Sequence, residues 1–161
     1  MPADTNKPDE AKIFSDLRKQ ALSVRASDLG LEPGGAQVWG VLMETGFPKA
    51  VVTLVSFAEG TTSLYFSTGG GTIGAGAHAS VRAAAERFLA AAHEHLDHFS
   101  AAREHPLPAE GRVRFYVHTF HGLLTADRDE QDLGYQRDPL APVFHAGHAV
   151  ITAIRELDES S

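Results

Sequence analysis

Beyond Ile13 the apolar residues Phe14, Leu17, Ala21 and Val24 recur at intervals of three and four, with Lys12, Asp16, Arg18, Lys19 and Gln20 between them. That spacing predicts an amphipathic first helix, ending near Gly30. Residues 1 to 8 carry Pro2 and Pro8 and no apolar spacing, which predicts a disordered lead. After Leu31-Glu32-Pro33-Gly34-Gly35 the period shortens to that of strands. Three are expected, over Ala36 to Glu44, Lys49 to Ala58 and Thr62 to Thr68, and the short turns between them make an antiparallel meander.

Alternation within the strands predicts which residues share a face. Val38, Gly40 and Leu42 are set against Trp39, Val41 and Met43, and Val52 and Leu54 against Val51, Val55 and Phe57. Both faces are apolar, so each needs a dry covering: helices on both, or helices on one and a second subunit on the other. A second helix is expected over Ala79 to Ala102, with Val81, Ala85, Phe88, Ala92, Leu96 and Phe99 on its buried stripe and Pro106 and Pro108 beyond it. A fourth strand covers Arg112 to Phe120 and a fifth Leu123 to Ala126, turned by His121-Gly122. Residues 127 to 139 read as an acidic loop with one helical turn. Asp138-Pro139 then leads into a third helix striped by Val143, Gly147, Val150, Ile154 and Leu157. The resulting expectation is one α+β domain over residues 9 to 157, an antiparallel five-stranded sheet with three helices in the order αβββαββα. Residues 158 to 161 are expected to fray.

That order resembles type III secretion chaperones, small acidic homodimers that bind an effector segment without hydrolysing anything. A profilin-like or roadblock-like domain differs from it by the position of one strand. The phrase Ser63-Leu64-Tyr65-Phe66-Ser67-Thr68-Gly69-Gly70-Gly71, followed by Ile73-Gly74, resembles a group of bacterial hypothetical proteins with no assigned activity. Arg114-Phe115-Tyr116 and Phe144-His145-Ala146-Gly147-His148 extend that resemblance over most of the chain after residue 36.

The size, 161 residues with 43% hydrophobic, suffices for a core without disulfides, and the absence of cysteine fits a reducing compartment. A polar amino terminus and the lack of a long apolar run predict a cytoplasmic protein with no membrane partner. A net charge of -7 with unclustered basic residues argues against nucleic acid.

The strand-to-helix bend is the most distinctive chemistry. Gly69, Gly70, Gly71, Gly74 and Gly76 allow positive φ and close approach, and Ser67, Thr68, Thr72 and His78 add donors beside the amides that open the next helix. Those nine residues are the candidate ligand site, suited to a small anion. Gly74 to Ala79 fits G-x-G-x-x-A, but a dinucleotide site needs a parallel βαβ unit, and no Gly-Lys-Ser or Gly-Lys-Thr follows for a Walker loop. No cofactor is implied. Of His93, His95 and His98, only His95 with His98, or Glu94 with His98, share a face; His145 and His148 make a second pair, but a four-ligand site would need the two helices to converge, and no HExxH is present, so solvated or partly packed histidines are expected rather than a metal. Ser67 or Thr68 with His78 is the local option for acyl transfer, without a G-x-S-x-G elbow, and Asp127, Asp129, Glu130 and Asp132 read as a solvated acidic run. The leading expectation is therefore a non-catalytic, homodimeric, chaperone-like or adaptor protein that binds an unidentified protein. Its rival is a receptor for a small molecule or anion, or a modest enzyme, built on the bend.

Overall fold

A computed structural model describes residues 9–34 and 37–160. The expected lead over residues 1 to 8, the start of the first strand at Ala36 and the end of the tail at Ser161 lie outside the described residues. The architecture is α+β: one antiparallel sheet with helices on both faces.

Helix α1, Glu10–Ser23, starts where the Asp9 carboxylate accepts from the Lys12 N–H at 3.2 Å and where Glu10 places negative charge in the first turn. A single 3-10 turn, Ala26–Leu29, follows and closes at Gly30, whose φ of 71° is the left-handed cap glycine favours. The sheet then builds from β1 (Val38–Gly46), β2 (Val51–Phe57), β3 (Thr62–Phe66), β4 (Gly71–Thr72), β5 (Ser100–Ala101), β6 (Arg112–Thr119) and β7 (Gly122–Asp129). Their spatial order is β4-β3-β2-β1-β6-β7-β5. Helix α2 spans Ala79–Glu94, α3 Glu130–Gly134 and α4 Ala141–Ser160.

Among the described residues the sheet thus has seven strands rather than five, and there are four helices rather than three. Both extra strands are two-residue edges, Gly71–Thr72 and Ser100–Ala101, too short to carry an alternating pattern. Helix α2 stops eight residues before the expected Ala102. Leu96 and Phe99 still pack on the core, but from a 3-10 turn and the chain leading into β5. Periodicity therefore located the buried positions correctly while the backbone carrying them changed.

Strand β7 runs three residues past the expected Ala126. The acidic run there is not simply solvated. Asp127 pairs with Arg112 and Arg114 of β6, Asp129 caps α3 by accepting from the Asp132 N–H at 3.1 Å, and Asp138 pairs with Arg128 and accepts from the Leu140 N–H. Each carboxylate satisfies a charge or an orphan helix amide, which lets the chain remain ordered through a polar stretch.

Two cores lie back to back across the sheet. Val41, Met43, Leu54, Leu64, Val113, Phe115 and Val117 face α2 and α4, together with Phe88, Val150 and Ile154. Leu42, Val55, Phe57, Tyr65 and Tyr116 face α1, against Phe14, Ala21 and Leu22. The assignments within β2 and β6 follow simple alternation. In β1 they do not, because the pairing of β1 with β6 shifts register between Val38 and Gly40. The bulge turns Trp39 to the α1 side with Leu42, and Val38 to the other side with Val41 and Met43, reversing the expected grouping of both residues.

Gly147 lets α4 approach the sheet closely. A Cβ at that position would lie 2.7 Å from Met43 Cε and 3.1 Å from Phe88 Cε1.

Candidate functional site

The glycine bend is a β3–β4 hairpin followed by a 3-10 turn into α2. Ser67 Oγ accepts from the Val51 N–H at 2.7 Å and the Ser67 N–H donates to Val51 O, so this residue extends the β2–β3 seam. Thr68 is exposed at the turn. Gly71 has φ 142°, and a Cβ there would run into the Leu64 carbonyl; at Gly76 it would run into the Gly60 carbonyl. Both glycines are required by close backbone approach. Gly74 holds φ 77° and its N–H points at Ser63 Oγ, 3.4 Å away. His78 precedes α2 without a side-chain capping bond and is exposed.

The nine residues do not surround one space. Gly69 and Gly70 flank a shallow cleft against α1, Gly74 and Gly76 a second one with Glu59 and Arg82, and Thr72 a third beneath α4; Ser67, Thr68 and His78 line none of these three. The Glu10 carboxylate sits against Gly69, where an added Cβ would collide with it. This places negative charge where a bound anion would have to come.

On the α1 side, β1 carries a fully buried carboxylate. Glu44 accepts from Arg18 Nε at 2.8 Å, Arg18 Nη2 at 2.9 Å and Thr53 Oγ1 at 2.7 Å. Arg18 also donates to the carbonyls of His105 and Pro106, and Tyr116 Oη donates to Pro106 O at 2.7 Å. The pair is bidentate and satisfied by protein groups, which describes a fastening between α1, the sheet and the loop before β6. Nearby, His118 lies between Trp39 and Phe57, 4.4 Å and 5.9 Å between ring centroids, and its Nε2–H donates to Ala21 O at 2.9 Å. Burial pushes the His118 pKa down, the Ala21 carbonyl opposes that, and His105 adds to it, leaving a neutral imidazole in the core.

Two histidines of α2 and its C-terminal end are also held by backbone contacts. His95 Nδ1 lies 2.7 Å from Ala91 O, and His93 Nδ1 accepts from the Gln37 N–H at 3.4 Å. Among the described residues, no three His, Asp or Glu side chains converge as a metal site would require.

A cleft with a volume of about 340 Å³ lies between the C-terminal half of α4 and the ends of β1 to β4. Val52, Leu64, Phe66 and Phe47 form its sheet wall; Ile151 and Ile154 form its helix wall. Thr45 and Thr72 contribute to the lining, and Arg155 and Asp158, both exposed, belong to its α4 side. On α4, positions 148, 151, 155 and 158 follow three- and four-residue steps, so one helical stripe faces the cleft. His148 begins that stripe. Its ring meets Phe144 edge-on at 4.4 Å, its Nε2 is sealed from solvent without a hydrogen-bond partner, and burial, with His145 adding, pushes its pKa down.

The size is within the range of small-molecule sites and more than twice that of an engineered apolar cavity that takes benzene. Sequence reasoning reached Thr72 alone among the lining residues. One signal was available: Ile151 is apolar yet lies beside the core stripe of α4, and Phe47 is a large apolar residue in a turn. No family model, curated protein or solved structure matches the chain.

Proposed function

We propose that the protein reversibly binds a small, largely apolar molecule in the cleft between α4 and the β1–β4 end of the sheet. The observation that carries this reading is the cleft itself: about 340 Å³, preformed, with apolar walls contributed by both layers of the fold. A pocket of this kind, largely formed before the ligand arrives, avoids the ordering cost of assembling a site. The polar groups around it are two threonine hydroxyls, an imidazole and one charge of each sign, which suits orientation of a ligand more than a nucleophile–base–acid relay.

The expectation of a homodimer rested on two apolar faces needing cover. Both faces carry the chain's own helices, α2 and α4 on one and α1 on the other, so the reading of the cleft does not depend on a second copy. The large exposed apolar residues, Ile13, Phe47, Ile73, Leu107 and Tyr135, come from separate segments of the chain.

Titration of the ¹⁵N-labelled protein with hexan-1-ol and with benzyl alcohol tests the reading. Saturable amide shifts are expected at Val52, Leu64, Ile151 and Ile154, with a rise in Tm that follows ligand concentration. Shifts that are absent up to the solubility limit, or that map to the α1 face instead, refute it.

A further inference from the structure

We propose that the cleft takes small carboxylic acids with an apolar body, and that Arg155 pairs with the carboxylate. This rests on the reading of the cleft as a binding site and adds the chemistry of its ligand.

The first observation concerns Arg155 itself. Six of the ten arginines, Arg18, Arg25, Arg112, Arg114, Arg128 and Arg137, pair with carboxylates; Arg82, Arg87, Arg103 and Arg155 form no ion pair among the described residues, and of these four Arg155 borders this cleft. Arg155 lines the cleft and has no ion-pair or hydrogen-bond partner among the described residues, although acidic residues outnumber basic ones twenty-one to fourteen. It stands four residues after Ile151, and because side chains on a helix lean toward its N-terminus, the guanidinium is carried back over the apolar wall. A planar fork of donors above an apolar slot matches a carboxylate on a hydrocarbon body.

The second observation is size. At roughly 30 Å³ for each non-hydrogen atom, taken from the share of a water molecule in the liquid, the cleft holds on the order of ten such atoms. Octanoate is of that size.

The experiment compares octanoate with octan-1-ol by calorimetry and amide shifts, in the native protein and in Arg155→Gln. Octanoate is expected to bind the native protein more tightly than the alcohol, to weaken with added salt, and to lose about fivefold or more in affinity in Arg155→Gln. Octan-1-ol affinity should change by less than about twofold in the same variant, since its contacts are apolar. Alcohol binding with equal or weaker binding of octanoate overturns the carboxylate assignment and leaves the cleft intact. Failure of both to bind overturns the binding reading itself. Arg155 is exposed, so a native-like Tm for Arg155→Gln establishes that the variant is folded, and an unchanged octanoate affinity then counts against the proposal.

Discussion

Replacing Arg18 by leucine should destabilise the protein by about 3–5 kcal/mol, the range for removing one partner of a buried ion pair. The magnitude follows from what is left behind. Glu44 is 0% exposed and receives three hydrogen bonds, two of them from Arg18 at 2.8 Å and 2.9 Å. Without the guanidinium, a sealed carboxylate keeps the Thr53 hydroxyl alone, and the carbonyls of His105 and Pro106 lose a donor as well. In urea, with a slope of roughly 2 kcal/mol/M, the transition midpoint should fall by about 1.5–2.5 M. The single tryptophan, Trp39, lies in the core beneath α1, so its fluorescence follows that face while circular dichroism follows the whole chain. If Arg18 fastens α1, the fluorescence transition in Arg18→Leu should precede the dichroism transition. The double variant Arg18→Leu, Glu44→Met should recover much of the loss, because no unpaired charge remains buried. A single variant within about 0.5 kcal/mol of the native protein, or a double variant that simply sums two losses, would refute the account of this pair as a closed, mutually dependent unit.

Three further outcomes follow from particular contacts. His118 and His148 both have pKa values pushed down by burial, so the unfolded chain takes up protons that the folded chain resists. The stability they contribute is complete above the unfolded value near 6.5 and is lost as pH falls below it, by at most about 1.4 kcal/mol per pH unit for each group. Urea denaturation from pH 7 to 5 should show that slope, and His148→Leu should reduce it. Gly147→Val places two methyl groups against Met43 and Phe88 and should cost about 1–3 kcal/mol by overpacking, measured as a lower Tm with unchanged fold. Gly71→Ala forces a side chain into a φ of 142° and into the Leu64 carbonyl, so hydrogen exchange should accelerate at Thr72 and its neighbours before the central strands are affected.

Much of the fold can be read from residue periodicity, because burial is periodic wherever an element presents one face. The stripes of α1, α2 and α4 and the alternation within β2 and β6 are of that kind. Trp39 escaped because a bulge changes which side a residue faces without leaving a compositional mark. Asp127 and Asp129 read as loop because their partners, Arg112, Arg114 and the Asp132 amide, are supplied by tertiary pairing and by a helix not yet visible. The sequence draws attention to the glycines, but it does not separate glycine needed for close backbone approach, as at Gly71 and Gly76, from glycine that admits a ligand. The α4 cleft was hardest to foresee, since its lining comes from five segments and its apolar strand and helix residues each resemble ordinary core.

Its position has a physical origin in the mismatch between the two layers. Seven strands at about 4.8 Å spacing span roughly 29 Å, whereas two helices side by side span about 20 Å, a shortfall close to two strands. Along the β7–β5 edge the deficit is made up by Leu96, Phe99 and Leu133 from the 3-10 turn, the chain before β5 and α3. Along the β3–β4 edge the 3-10 turn before α2 contributes Ala75 to the core, and among the described residues Leu64, Phe66 and Thr72 are left lining the open space that is the cleft. The cleft is thus the margin of the sheet that the helix layer does not reach, rather than a defect within the core. Its walls are shared with the core: Leu64 and Ile154 are buried members of the cluster beneath α2 and α4, and Val52, Phe66 and Ile151 pack against that cluster. Phe47 and Arg155 line the cleft without belonging to the cluster, so on the proposed reading ligand selectivity is adjustable at those two positions at little cost to folding, whereas substitutions at Leu64 or Ile154 change both.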